Sequence, residues 1–366
     1  IVIKFLLGAA ARIKLKNFET ALFVSQKHID GNLNDSTNSI SSILESGLHT
    51  TPNELIDKKS TKETILGGNL SYINKSLNTG ITITRYQIDK TLQPISRPYN
   101  IVSSIQSDNL NFSLHYNFTV KNINIYGEEA FSSSKGLALI NGLLVSLHKR
   151  VWLSINHRYL EPEFQNPIGN GFSVNSKNAN ETGLYTGITI QLAKHIKLSS
   201  YLDNYQFPWL KHNTNSPSQG NDYTTFIQYK PSRRFKVYFR FRQRVNTDNM
   251  QEIAKITFNQ IQEKQQNFRI HLEQKVLPFL QLKNRVEFVQ KSRAGNTATG
   301  YLAYQDILFQ KIGRPFSLKM RYALFDTDDY ETRIYAYEHN VMGVYSIPSY
   351  YNEGMRFYVM LKYKFN

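Results

Sequence analysis

The chain has 366 residues, with 44 Lys and Arg against 28 Asp and Glu, a formal charge of +16. It carries 23 Tyr and 22 Phe but 2 Trp, and its mean hydropathy is −0.43. So many aromatics with so polar an average argue against a soluble enzyme and for strands whose alternate residues face lipid and lumen. No Cys is present, which excludes disulfides, thiolate metal sites and cysteine nucleophiles.

The first residues, IVIKFLLGAAAR, imitate a secretion signal, because small residues follow an apolar run. The apolar core after Lys4 is only FLLG, below the ~7–15 residues such a signal needs, and no Met precedes it. The segment reads as a strand over about residues 5–15 that runs into a short turn at Lys16 and Asn17. The longest apolar stretches, 1–11 and 137–147, are interrupted by Lys4 and Asn141, and both fall short of the ~20 residues of a spanning helix.

From there two kinds of connection alternate. Short turns, most with Lys or Arg, are expected at 75–78, 121–122, 148–150, 193–195, 230–234, 275–278 and 311–314. Between them lie long polar connections at 31–64, 90–108, 161–182, 205–221, 246–264 and 291–299, with 132–134 a short outlier. Short periplasmic turns with longer outside loops are the rhythm of outer-membrane barrels.

The intervening runs alternate with period two. In residues 109–120, Leu110, Phe112, Leu114, Tyr116, Phe118 and Val120 oppose Asn109, Asn111, Ser113, His115, Asn117 and Thr119. Phe235, Val237, Phe239 and Phe241 oppose Lys236, Tyr238, Arg240, Arg242 and Arg244. Phe316, Leu318, Met320 and Tyr322 oppose Ser317, Lys319, Arg321 and Ala323, and the last run sets Phe357, Val359, Leu361, Tyr363 and Phe365 against Arg356, Tyr358, Lys362 and Lys364. Such runs match a tilted bilayer-crossing strand of ~9–11 residues better than a soluble strand of ~5–6.

The expected fold is therefore all-β: a transmembrane antiparallel outer-membrane β-barrel of about 16–18 strands over 1–366. Eight short turns join 16 strands, and 356–366 adds a seventeenth. Single-chain barrels normally have an even number with both ends periplasmic, so an upstream strand is expected and the chain reads as the C-terminal part of something longer. Residues 31–64 are expected to form a long extracellular loop, and 326–354 a loop or insert before the closing strand. Phe112, Tyr116, Phe118, Phe239, Phe241, Leu318, Met320, Phe357 and Leu361 are expected to face lipid, with Phe365 at the periplasmic rim.

No Walker loop, GxSxG, HExxH or metal-ligand His pair is present. Ser154 and His157 are three apart in a strand, hence on opposite faces, and do not make a hydrolase pair. Asp326, Asp328, Asp329 and Glu331 form an acidic loop with weak calcium character, lacking the full EF-hand spacing and its central Gly. Glu128 and Glu129 fall on opposite faces, with Gly127 permitting a bulge there. No cofactor is implied.

The polar faces of the second half gather Lys236, Arg240, Arg242, Arg244, Arg269, Lys283, Arg285, Lys319 and Arg321, against acids that are chiefly Glu273 and Glu287. A basic lumen would concentrate anions, unless loops or an upstream plug neutralise it. Nucleic acid is not implied, since a barrel already explains the aromatics beside these bases.

The stretches GLHTTPNELIDKKSTKETILGGNLSY (47–72), IYGEEAF, DNYQFPWL, YKPS and RIYAYEHNVMGVYSIPSYYNEGMRFYVMLKY (333–363) resemble the C-terminal β-barrel region of Bacteroidetes outer-membrane and envelope proteins described as helix-hairpin-helix domain-containing. That resemblance implies an upstream signal peptide and helix-hairpin-helix portion and supplies no active-site residues. The function expected is a non-enzymatic structural or accessory subunit of a larger outer-membrane machine for protein secretion or barrel assembly. Its expected surroundings are membrane lipid, lipopolysaccharide and other outer-membrane or periplasmic proteins. The alternative is a channel or transporter with an anion-favouring lumen, and a barrel hydrolase is a remote third.

Overall fold

The computed structural model describes residues 6–34, 36–102, 106–249, 260–311, 313–341 and 343–364. Its first strands are β1 (Gly8–Leu15), β2 (Phe18–Asn34), β3 (Ser39–Leu44), β4 (Thr61–Ile73), β5 (Leu77–Ile88), β6 (Thr91–Leu92), β7 (Asp108–Val120), β8 (Ile123–Ser132) and β9 (Leu137–His148). There follow β10 (Val151–Leu160), β11 (Glu181–Ala193), β12 (Ile196–Phe207), β13 (Ser218–Tyr229), β14 (Phe235–Asn249), β15 (Gln260–Leu277) and β16 (Leu280–Arg293). The chain ends through β17 (Asn296–Gln310), β18 (Phe316–Thr327), β19 (Ile334–Tyr335), β20 (Ser349–Tyr350) and β21 (Gly354–Tyr363), and a short α-helix, α1 (Pro52–Ile56), and a 3-10 turn at Tyr330–Thr332 interrupt the strands. Nineteen of these strands share one sheet, and β19 with β20 forms a separate pair. Among the described residues, 17 strands are long, since β3 and β6 are short pieces in connections.

Two compact units are distinguished, Ile1–Ser146 with Ser154–Tyr185 and Tyr205–Gln219, and Leu147–Leu153 with Thr186–Asn204 and Gly220–Asn366. In the first, β1, β2, β4, β5, β7, β8 and β9 run as an antiparallel meander. The pairings Leu70↔Ile81↔Leu114 and Gly68↔Ile83↔Phe112 stack apolar residues on one face. Asn69↔Thr82↔Ser113 and Ile65↔Tyr86↔Asn109 occupy the other. In the second unit β13 to β18 and β21 form a second meander. Its apolar face runs through Ile227, Phe239, Ile270 and Val286, and its polar face through Phe226, Arg240, Arg269 and Glu287.

The two faces meet different environments. Phe112, Phe118, Phe357 and Leu361 are exposed on the apolar face at 45%, 39%, 58% and 62%, a cost in water that lipid removes. Phe239, Phe241 and Leu318 share that face and are half-buried. Tyr116 lies on it too, half-buried because its ring covers Gly127 and its hydroxyl donates to Asn141 Oδ1 at 2.5 Å.

Turn chemistry sets the hairpin ends. Lys16 and Lys121 adopt φ of 51° and 50° in two-residue turns. The connection expected at 291–299 is instead a two-residue turn of Ala294 and Gly295 with φ of 50° and 81°, the double left-handed pair a tight hairpin demands. Strands also outrun expectation. β2 reaches Asn34 and β4 begins at Thr61, so the 31–64 connection shrinks to 35–60 and contains β3 and α1. Gly127 makes no bulge, because β8 keeps regular register with β7 and β9. Glu129 therefore lies between Leu114 and Leu139 on the apolar face. Residues 250–259, expected in an outer loop, and Phe365 lie outside the described residues.

Among the described residues, buried apolar packing occurs in three small clusters, and in each a connection folds over the polar face. Ile40 of β3 seals Ile65, Tyr86 and Ile88. Phe164 packs on Ala138 and Leu160. Ile334, Ala336 and Tyr350 cover Val289, Leu302 and Ala323. An Ile270→Arg substitution, on the apolar face where Ile270 is 54% exposed, should lower stability in lipid vesicles by about 2–4 kcal/mol. Urea unfolding of the reconstituted protein measures it.

Candidate functional site

In the second unit, the polar face of β14 to β21 and the connection 328–353 build one charged assembly. Register brings the bases together. Arg240 pairs Arg269, Arg269 pairs Glu287, and Asp306 pairs Arg321 across neighbouring strands. Like charges directly opposite destabilise a sheet, so each group of bases needs a carboxylate.

Arg321 is almost wholly buried and grips Asp306 with two bonds, Nε to Oδ1 at 2.5 Å and Nη2 to Oδ2 at 2.7 Å. Its Nη1 donates to the carbonyl of Tyr337 at 2.7 Å, and its guanidinium lies 3.8 Å from the Tyr304 ring centroid. Glu287, 2% exposed, accepts two bonds from Arg269 at 2.8 and 2.9 Å and is also paired with Arg285. Arg285 reaches the Tyr335 carbonyl at 3.2 Å. Asp222 holds Arg242 and Arg244, and Glu273 holds Lys236 at 2.8 Å.

The connection contributes acids of its own. Glu338 accepts from the Tyr350 hydroxyl at 2.6 Å and from Arg356 Nη2 at 2.9 Å, while Glu331 takes Lys291 at 2.6 Å. His339 donates its backbone N–H to the Tyr358 hydroxyl at 3.1 Å. The nine bases expected to share the inner face all lie on the polar register. The acids there are more than the expected Glu273 and Glu287, but they stay fewer than the bases. Asp222 and Asp306 answer them as well, while Glu331 and Glu338 pair with Lys291 and Arg356, and Lys283 and Lys319 make no hydrogen bond or ion pair among the described residues. Asp306 was missed because its partner Arg321 is 15 residues away and only cross-strand register joins them.

The acidic run does not assemble a calcium site. Asp328 caps Thr299 through its backbone N–H at 2.6 Å and its hydroxyl at 2.9 Å, and Asp329 takes the backbone N–H of Thr332 at 2.9 Å. Glu331 turns to Lys291, and Asp326 sits opposite Tyr301 on the other face. No group of three potential metal ligands occurs among the described residues.

The first unit anchors its connections differently. Arg158 and Glu181, both wholly buried, form an ion pair, and Glu181 also accepts the backbone N–H groups of Val174 at 2.9 Å and Asn175 at 2.6 Å. Gly183 is required beside them, since a Cβ there would lie 2.4 Å from the guanidinium carbon. In the 35–60 connection, Thr51 and Glu54 make a reciprocal cap on α1, and bonds from Thr50 and Thr51 pull the Glu54 carboxyl down to about 2. A cavity of about 770 Å³ lies between this connection and the inner face, lined by Phe23, Ile43, Ile65, Tyr86 and Leu92.

No protein-family model and no curated protein matches the chain. Solved structures do. The chain is similar to a chain of the FpvAI–pyocin S2 complex, with TM-score 0.53 at 8% identity over 98% of this chain and 59% of that one. It is similar to the copper transporter OprC, with TM-score 0.50 at 8% identity over 96% and 62%. It spans about 60% of the length of both. The outer membrane channel DcaP of Acinetobacter baumannii matches over 97% of this chain and all of its own at 13% identity and TM-score 0.41. The chain has the fold of an antiparallel outer-membrane β-barrel.

Burial and the nearby Lys319, Lys283 and Arg321, only partly offset by Asp306, push His339 down to about 4. The undocked connection, with an ordinary imidazole near 6.5, binds the proton more readily. Docking therefore weakens as pH falls from about 6.5 towards 4. A spin label at Val344→Cys should become more mobile across that window, and His339→Phe should abolish the change.

Proposed function

We propose that this chain is a non-enzymatic barrel of the bacterial outer membrane that serves as a structural or accessory subunit of a larger assembly, of the protein-secretion or barrel-assembly type. The observation that carries the reading is the inward folding of its connections. Three separate stretches, around Ile40, Phe164 and Ile334, each bury apolar side chains against the polar face. An open pore needs that face wet along its length, whereas here carboxylates, carbonyls and small apolar clusters occupy it.

The outward part of the 328–353 connection supports a protein partner. Val341, Val344, Tyr345 and Ile347 are exposed at 62%, 50%, 58% and 45% on a loop whose other side is docked. An apolar loop tip held in place by Arg321, Arg285 and Arg356 is a preorganised contact surface. Lipid and lipopolysaccharide would cover the apolar strand faces.

Reconstituted in planar bilayers, the intact chain should show no steady conductance. Removing residues 336–347 should open anion-preferring steps whose preference fades in high salt. Large steady currents from the intact protein would instead establish the channel reading. In cells, Val344→Asp with Tyr345→Asp should leave the folded barrel in the membrane but strip co-purifying proteins from it.

A further inference from the structure

A second cavity, about 230 Å³, lies in the second unit between β14 to β16 and the start of the 328–353 connection. Five cations line it, Arg240, Arg242, Arg269, Lys291 and Arg333, with only Glu287 and Glu331 of opposite sign. Their partners just outside do not restore balance. Counting Arg244, Arg285, Asp222 and Glu263, seven bases face four carboxylates among the described residues.

The shortage concentrates on one carboxylate. Glu287 serves Arg269 and Arg285 with direct bonds, and Arg240 stands off at 3.7 Å. Arg240 Nε is buried without a hydrogen-bond partner, directly across the strand pair from Arg269. A buried donor atom left open on a half-buried guanidinium beside a like charge is costly, and an anion in this space would relieve both defects at once. Planar, fixed Arg forks suit the oxygens of a tetrahedral oxyanion better than a spherical halide. The volume equals roughly seven or eight waters, room for such a group with a short organic tail.

We infer that this cavity binds a phosphate group, either as inorganic phosphate or as the monoester end of a small molecule, and that the bound group ties the connection to the barrel wall. Arg240 and Arg269 hold it from the strands, and Arg333 holds it from the connection. The site is independent of the accessory-subunit reading, since it would be occupied whether or not a partner binds.

The test uses the full chain folded in detergent micelles, titrated calorimetrically with inorganic phosphate at constant ionic strength, with chloride as the reference salt. Saturable phosphate binding is expected, weakened roughly tenfold or more in Arg240→Gln and unchanged in Lys236→Gln, which lies outside the cavity. Hydrogen exchange of residues 330–335 should slow with phosphate and not with chloride. If Arg240→Gln loses the heat-modifiable mobility of a folded barrel, Arg333→Gln replaces it, because that side chain sits on the connection and not in the sheet. Competition by glycerol phosphate would extend the site to monoesters, and its failure would confine it to the inorganic ion. No saturable binding, or binding equal in both Arg variants and wild type, overturns the inference. So does protection reproduced by chloride alone, which marks general screening.

Discussion

The structure depends on gathering most strand charge on one face of its sheet and answering it there, while the other face stays largely apolar. A strand sends successive side chains to opposite sides, so Phe239 and Arg240, or Met320 and Arg321, stand back to back a few ångströms apart in opposite environments. The lipid side needs only bulk and apolarity. The polar side of the second unit carries Lys236, Arg240, Arg242, Arg244, Arg269, Lys283, Arg285, Lys319 and Arg321, and a guanidinium taken out of water without a partner is costly.

Carboxylates placed by register solve part of this. Asp306 lies directly across from Arg321, and Glu287 directly across from Arg269. The connections supply the rest, with Glu338 and Glu331 as acids and the carbonyls of Tyr335 and Tyr337 as acceptors. Fixing the connection and neutralising the wall are thus one event, and the small apolar cluster around Ile334 and Tyr350 adds burial to it. The first unit reaches the same result through the buried pair of Arg158 and Glu181, whose carboxylate also ties down Val174 and Asn175.

That economy has a functional consequence. Connections committed to the interior leave less room for a conducting path, yet they present an ordered outer surface such as the tip at Val344 and Tyr345. Where the supply of carboxylates falls short, around Arg240, the wall keeps a small charged cavity. The proposed scaffold role and the proposed anion site both rest on how this face balances its bases and acids.

Alternation and turn chemistry are local properties, which is why the sequence by itself determined the barrel class, tight turns such as those at Lys16 and Lys121, and the period-two registers that set Phe112 and Leu361 on apolar sides and Lys236 to Arg321 on a polar one. Each follows from residues a few positions apart. Only the tertiary structure decided how those bases are satisfied, because Arg321 with Asp306, Lys291 with Glu331 and Arg158 with Glu181 are joined across 15, 40 and 23 positions by register and by folded connections. It also turned the 291–299 connection into a tight turn, and it turned Asp328, Asp329 and Glu331 to Thr299, Thr332 and Lys291. The physical reason is the same throughout: a period can be read along a chain, but the partner of a charge depends on which strand lies beside it and which loop folds over it.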